Sequence, residues 1–326
     1  MSVSTTVQKM NVVIDCDTGV DDAMALLLAL RSPKLNILGI TNVAGNVGLD
    51  KVVRNTLVVV EQAQRDVPVY RGASHAMLGG GETAEHAHGS DGLGDVGFPD
   101  AVLNAQSTHA VEFLVDTFMN ATEPVHLITL GPLTNVGLAM AMAPEIEDHI
   151  ASLVMMAGSI GAGNVTSAAE FNVYVDPEAA DIVFRSSVPK TMVGLIPIRR
   201  DGGIWPVDVE RLEAASTSWC DMIGRLLRER LKAWGRIAGE PRPTTPPDLA
   251  AMAIAIDPTI AELVPTYVVV ETTGDHTRGM THPDQREFFF DRDEQRAANV
   301  NVTMTIDNDR YRALVLDTLL VTAEGA

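Results

Sequence analysis

Asn11-Val12-Val13-Ile14-Asp15-Cys16-Asp17-Thr18-Gly19-Val20-Asp21-Asp22 decides the fold, because an apolar strand runs straight into four carboxylates and then into the apolar run Ala23–Leu30. The strand reads as a continuous apolar segment, the pattern of a strand buried on both faces. Working outward, the same pattern recurs. Ile37–Ile40, Val125–Leu130, Leu153–Met156 and Thr191–Leu195 read as further buried strands. Ala23–Leu30, Lys51–Gln64, Thr108–Met119, Leu133–Met142 and Pro177–Arg185 read as helices between them. Such alternation predicts an α/β fold, a mostly parallel sheet flanked by helices on both faces. There is no internal repeat or low-complexity linker. The short Pro-rich stretch Pro241–Pro247 is the one candidate boundary, and the pattern resumes beyond it, so residues 1–326 read as one domain. Ligands of such sheets sit outside the carboxyl ends of the strands, so the chemistry is expected just after each strand.

Composition narrows the function. Of 326 residues, 46% are hydrophobic, enough for a sizeable core. The 24 Lys and Arg against 43 Asp and Glu leave a net charge of −19, a field that repels nucleic acid and anionic membrane surfaces. The two cysteines, Cys16 and Cys220, form no CxxC spacing, which excludes a disulfide framework or a cysteine-rich zinc site. Cys16 reads as a small buried hydrophobe with no adjacent base. The N-terminus lacks a signal-peptide pattern, and Ala23–Leu30 is too short to span a bilayer, so a soluble cytoplasmic protein is expected.

Asp15, Asp17, Asp21 and Asp22 repel one another, and each is costly to bury alone. The dipole of the helix starting near Asp22 offsets roughly 0.3–1 kcal/mol, too little for four carboxylates. A hard divalent cation, Ca²⁺ or Mg²⁺, compensates better, and Asp17 is placed to take a proton from an activated water. The plainer alternative has Asp21 and Asp22 capping the helix while Asp15 and Asp17 lie in solvated loop. Further polar groups follow later strands. Asn46 offers a donor and an acceptor to a hydroxylated ligand, or is a turn residue. The Gly131-Pro132 step can turn a backbone carbonyl towards the sheet's edge as a neutral metal ligand. Asn164, Glu170 and Asn172 form the carboxylate-and-amide set a vicinal diol needs, or a polar loop. Asp248, after Pro246-Pro247, is either a helix cap or another metal carboxylate.

Taken in order, these pieces resemble the nucleoside hydrolases, the inosine–uridine-preferring ribohydrolases. The resemblance rests on Asp15–Asp22, Val43-Ala44-Gly45-Asn46, Gly131–Asn135, Ala169–Asn172 with Asp176–Ala180, Asp248, Arg278–Thr281 and Leu314–Asp317. It spans nearly the whole chain. It implies Ca²⁺-dependent hydrolysis of the N-glycosidic bond of ribonucleosides, releasing ribose and a nucleobase. By position, Asp17, Asp22, Asp248 and the Leu130 carbonyl match the calcium ligands, and Asp17 the general base. Asp21, Asn46, Asn164, Glu170 and Asn172 match the residues that hold the ribose hydroxyls and 5′ end. The partners implied are a small nucleoside and further copies of the chain, as a homodimer or homotetramer.

The sequence departs from the family at two places. Many members carry a His immediately before the late Asp as the acid for the leaving base, whereas here Pro247 has no proton to donate. His88, in the Gly-rich lid-like segment Gly79–Gly94, and Trp234 with Arg236 are the candidates on the base side; that segment lacks a Gly-Lys-Ser/Thr ending and is not a P-loop. At Leu195-Ile196-Pro197-Ile198-Arg199-Arg200 the family more often has Asp and Thr, and the two arginines read as solvated or oligomer-facing charges. Two other readings compete: a nucleoside- or ribose-binding protein that kept the pocket and lost the acid, and a haloacid-dehalogenase-type phosphatase suggested by Asp15-Cys16-Asp17. The Asp21-Asp22 pair, the diol cluster and the adverse charge argue against the phosphatase.

Overall fold

The computed structural model describes residues 9–80, 82–238, 242–286 and 296–321, the side chains of 233–238 excepted. β1 (Met10–Cys16) leads through α1 (Val20–Arg31) to β2 (Leu35–Asn42), α2 (Leu49–Gln62) and β3 (Val69–Arg71). α3 (Glu85–His88) and α4 (Ala110–Met119) precede β4 (Val125–Thr129), α5 (Thr134–Met142) and β5 (Ile150–Met156). α6 (Phe171–Val175) and α7 (Pro177–Arg185) lead to β6 (Lys190–Val193). The helices α8 (Leu195–Asp201), α9 (Pro206–Glu213), α10 (Ser218–Ala238) and α11 (Pro247–Ile256) follow. β7 (Ala261–Thr266), β8 (Val268–Val270), β9 (Thr281–Pro283), β10 (Val300–Ile306) and α12 (Asn308–Leu319) complete the chain.

Eight strands form one sheet in the order β3-β2-β1-β4-β5-β6-β10-β7, parallel except for the antiparallel edge strand β7. The expected α/β class and mostly parallel sheet are what the chain adopts. β1 shows why its sequence reads as an apolar run: Val12, Ile14 and Cys16 enter one core while Val13 enters the other. The first core lies under α1, α2 and α9–α12, and the second under α4, α5 and α7.

Chain order reverses between β1 and β4, so the crevice at their carboxyl ends is the topological switch point. α1 is buried along its whole length apart from Arg31, which explains its apolar composition all round. It packs against α11, and the N-terminal turns of both helices carry carboxylates, Asp21 and Asp22 on one and Asp248 on the other. Helix packing thus unites residues more than 220 positions apart.

Candidate active site

β1 is longer than its apolar run. Asp15 and Cys16 belong to the strand, so Asp15 lies within the sheet and not in solvated loop. Its Oδ1 accepts from the Thr41 hydroxyl (2.5 Å) and the Asn135 amide (2.8 Å), while Oδ2 has no hydrogen-bond partner. Burial pushes the Asp15 carboxyl up to about 7 despite those two hydrogen bonds.

Asp17 follows the strand and is fully buried. Its Oδ2 accepts from the Asn46 backbone N–H at 2.7 Å, and its Oδ1 has no partner. A Cβ at Gly45 would collide with Asp17 Oδ2, so glycine there lets the second loop close on this carboxylate. Burial, and then the charge of Asp22, raise the Asp17 pKa well above the ordinary carboxylate range.

Asp22 both caps α1 and faces the cluster. It accepts from the backbone N–H groups of Gly19 (3.0 Å) and Asp17 (3.2 Å) and from the Asn46 side-chain amide (2.9 Å). The capping alternative is therefore real for Asp22 and does not displace the other one. Asp21, Asp22 and Asp248, all buried, each offer an oxygen within 4.8 Å of the others, an arrangement able to hold a metal ion. Asp248 is raised by burial and then by the charges of Asp22, Asp21 and Asp17. Pro247 occupies the first helical position of α11, where its missing N–H costs nothing, and thereby sets Asp248 into the first turn.

A cavity of ≈ 210 Å³ lies over this cluster, lined by Asp21, Asn46, His88, Leu130, Asn164, Glu170, Asn172, Pro247 and Asp248 among others. Nearly all the residues singled out in the sequence meet at this one place. Glu170 caps α6, accepting from the backbone N–H groups of Asn172 (3.0 Å), Val173 (3.3 Å) and Gly158 (2.8 Å); burial outweighs these and brings it up to about 7. The Asn172 amide donates to the Leu130 carbonyl (2.7 Å) and the Met156 carbonyl (2.9 Å), which ties β4, β5 and α6 together beneath the cavity. Asn164 is exposed at the rim, and its side-chain oxygen accepts from the Phe171 N–H at 2.9 Å.

The segment carrying His88 is anchored, not loose. The Ala84 N–H bonds to the Asn46 carbonyl at 2.9 Å, and Lys51 pairs with Glu85 at 2.7 Å. The buried His88 Nδ1 accepts the Val20 N–H at 3.0 Å, which requires that nitrogen to be unprotonated. Burial, the largest influence, lowers its pKa further. The imidazole is then neutral with its proton on Nε2, and its 3.5 Å approach to Asp21 is not an ion pair. Gly19 permits this approach, since a Cβ there would collide with His88 Nδ1.

The Trp234 side chain, like that of Arg236, lies outside the described residues. A cation overlooked in the sequence does reach the site: Arg230 of α10 brings Nη1 to 3.9 Å from Asp21 Oδ1 and donates from Nε to the Thr244 hydroxyl (3.3 Å). One charged residue in a long amphipathic helix carries no local signal of such a role. Thr41, which holds Asp15, is equally silent, and Asn135, its other partner, stands in the sequence only as the end of the Gly131–Asn135 stretch.

Residues 12–313 match the inosine-uridine preferring nucleoside hydrolase family. The chain is 38% identical over 305 residues, 92% of its own length and 94% of the relative's, to the pyrimidine-specific ribonucleoside hydrolase RihA of Salmonella schwarzengrund (strain CVM19633). Among solved structures it resembles the plant nucleoside hydrolase PpNRh1, with a TM-score of 0.88 at 28% identity, covering 96% of this chain and 99% of that one. It also resembles the purine-preferring ribonucleoside hydrolase from Gardnerella vaginalis, with a TM-score of 0.87 at 31% identity, covering 95% and 98%. Among the described residues no helix is long and apolar enough to cross a membrane.

Proposed function

The chain belongs to the inosine-uridine preferring nucleoside hydrolase family, an enzyme family that cleaves the N-glycosidic bond of ribonucleosides, and from that premise we propose that it does so with Ca²⁺ and with Asp17 as general base. The observation that carries this reading is the pair of buried oxygens without a hydrogen bond, Asp17 Oδ1 and Asp21 Oδ1, the second met only by Arg230 at 3.9 Å and His88 at 3.5 Å, beside the Asp21/Asp22/Asp248 group. Leaving a buried polar atom unpaired costs about 1–3 kcal/mol, and more for a charged one, so these oxygens call for a ligand. The donors are all oxygen, which suits a hard cation of calcium's kind and not a soft one.

Asp17, Asp22, Asp248 and the Leu130 carbonyl would hold the ion. When bound, it neutralises the carboxylates and acidifies a water. Asp17 takes the proton of the attacking water at Oδ1, the oxygen without a partner. Asp21, Asn46, Asn164, Glu170 and Asn172 hold the sugar: Asp21 and the amides meet the 2′ and 3′ hydroxyls near the aspartates, and Glu170 with Asn164 meets the 5′ end. Positive charge developing on the sugar is stabilised by these carboxylates. With Pro247 unable to donate, the departing base is met by the Nε2–H of neutral His88, a hydrogen-bond donor and not a strong acid, with Trp234 as a further wall on that side. The single domain, the cytoplasmic location and the homodimer or homotetramer belong to the same reading.

The test is reducing-sugar release from inosine, adenosine, guanosine, uridine and cytidine with Ca²⁺ present. Release by the wild type that is lost in a folded Asp17→Ala variant supports the proposal. Undiminished turnover in that variant rejects it.

A further inference from the structure

Arg199 and Arg200 end the segment where the sequence departs from its family, and the structure separates them. Arg200 grips Asp201 with two hydrogen bonds (2.8 and 2.7 Å) and donates to the Met304 carbonyl at 2.8 Å. Arg199 has no carboxylate within 4.0 Å among the described residues, in a chain where 43 acidic residues outnumber 24 basic ones. A guanidinium left without a carboxylate amid such a surplus needs an explanation from its place.

That place is beside the cavity: Arg199 does not itself line it, but its neighbours do. Arg199 stands four residues after Leu195 on α8, hence on the same helix face, and Leu195 lines the cavity. Its Nη1 donates to the Gly163 carbonyl at 3.5 Å, next to Asn164, which also lines the cavity. The Arg199 charge also bears on Glu170, though less than burial and the backbone hydrogen bonds do, whereas Asp22 feels the charge of Asp21, and Asp248 those of Asp22 and Asp21. The cavity thus has an acidic end and, on the Glu170 and Asn164 side, a rim with one uncommitted planar cation.

We infer that Arg199 recognises a phosphate on the 5′ carbon of the sugar, so that ribonucleoside 5′-monophosphates are substrates. The inference rests on the nucleoside-hydrolase reading, which directs the 5′ end to Glu170 and Asn164. A guanidinium binds phosphate through two parallel N–H···O bonds, and being weakly hydrated and solvent-exposed it does so at a small desolvation cost. The negative field of the whole chain is overridden locally, because the phosphate meets the guanidinium directly. The reaction is otherwise unchanged. Water adds across the C1′–N bond: its oxygen and one hydrogen go to C1′, its other proton goes to Asp17, and the departing nitrogen takes one proton from solvent, to which Asp17 returns its own; the phosphoester stays intact, and the products are ribose 5-phosphate and the base.

Calorimetric titration of the full calcium-loaded chain with ribose 5-phosphate and with ribose decides the matter without requiring turnover. The expected result is at least tenfold tighter binding of ribose 5-phosphate. In Arg199→Ala that ratio falls to about one, while Arg200→Ala keeps it. Equal binding of the two sugars, heat from neither, or an advantage that survives in Arg199→Ala overturns the inference. Reducing-sugar release from unphosphorylated nucleosides is scored separately, so a failure of the hydrolase reading is distinguished from a failure of Arg199.

Discussion

Asp17 and Asp208 are both fully buried aspartates, and their surroundings are opposites. Asp208 accepts two hydrogen bonds from the Arg312 guanidinium (2.8 and 2.9 Å) and one from the Trp205 N–H (2.9 Å), so its charge is answered within the chain. Asp176, also buried, spends its oxygens on the N–H groups of Ala179 and Met77 and the Thr134 hydroxyl. Asp17 pairs with no cation among the described residues, keeps one oxygen without a hydrogen bond, and lies close enough to Asp22 and Asp21 for their charges to act on it. A fold holding aspartates in place for its own stability pairs them. The cluster at the ends of β1 and of the α1 and α11 N-termini is paired only in part: Asp22 is hydrogen-bonded and Arg230 reaches Asp21 at 3.9 Å, but Asp17 Oδ1 and Asp21 Oδ1 accept no hydrogen bond, an arrangement more typical of a functional site than of a structural one.

The largest effect should come from breaking this contrast. Asp17→Asn is expected to cut kcat by a thousandfold or more while thermal stability without calcium stays level or rises, since an uncompensated buried charge has gone. Asp208→Asn should do the reverse. It should destabilise by roughly 3 kcal/mol, because Arg312 loses its partner, with far less effect on kcat; thermal unfolding and steady-state kinetics on both variants check this. If both lose stability and activity alike, the contrast is empty.

Calcium should restore to the cluster what Arg312 gives Asp208. At a free concentration a hundred times its dissociation constant, the ion should stabilise the fold by about 2.7 kcal/mol, read as a rise in melting temperature that a chelator reverses. The same addition to Asp208→Asn should give the same increment.

Glu170 sharpens the comparison through pH. Its folded pKa of about 7 lies above the ordinary 4.5, with burial the main cause, so the fold favours the neutral form. The stability it contributes is complete below the unfolded value and is lost as pH rises through 7. At about 1.4 kcal/mol per unit this is of order 3 kcal/mol. Glu170→Gln should therefore flatten the fall in stability between pH 5 and 8, and an unchanged profile would remove Glu170 as its source. The smallest effect is at His88. His88→Ala leaves the Val20 N–H without its acceptor, a cost of about 1 kcal/mol, and is expected to slow turnover by roughly tenfold to a hundredfold on poor leaving bases.

How much of this was legible beforehand follows from the physics of each element. The alternation of buried strands and helices is written locally, and Pro177–Arg185 forms the helix its residues predict. The acidic motif after β1 announces its own cost, which is why a cation could be expected from sequence. The far edge of the sheet was not legible. β10 pairs with β6 across more than a hundred residues, and β7 carries Pro265, which an edge strand tolerates and a central one does not. Arg230 was hidden for the same reason, since only packing brings α10 over Asp21. The membership of the tight cluster is also a tertiary matter. Asp17, Asp22 and Asp248 were expected together; the tight group is Asp21, Asp22 and Asp248, and Asp17 turns its paired oxygen towards Asn46 instead.

The most direct test of the acidic cluster is a calcium titration of the full chain by calorimetry, beside Asp248→Ala. The account predicts one ion bound per chain in the wild type and its loss in the variant. No binding to the wild type, or equal binding to Asp248→Ala, would contradict it.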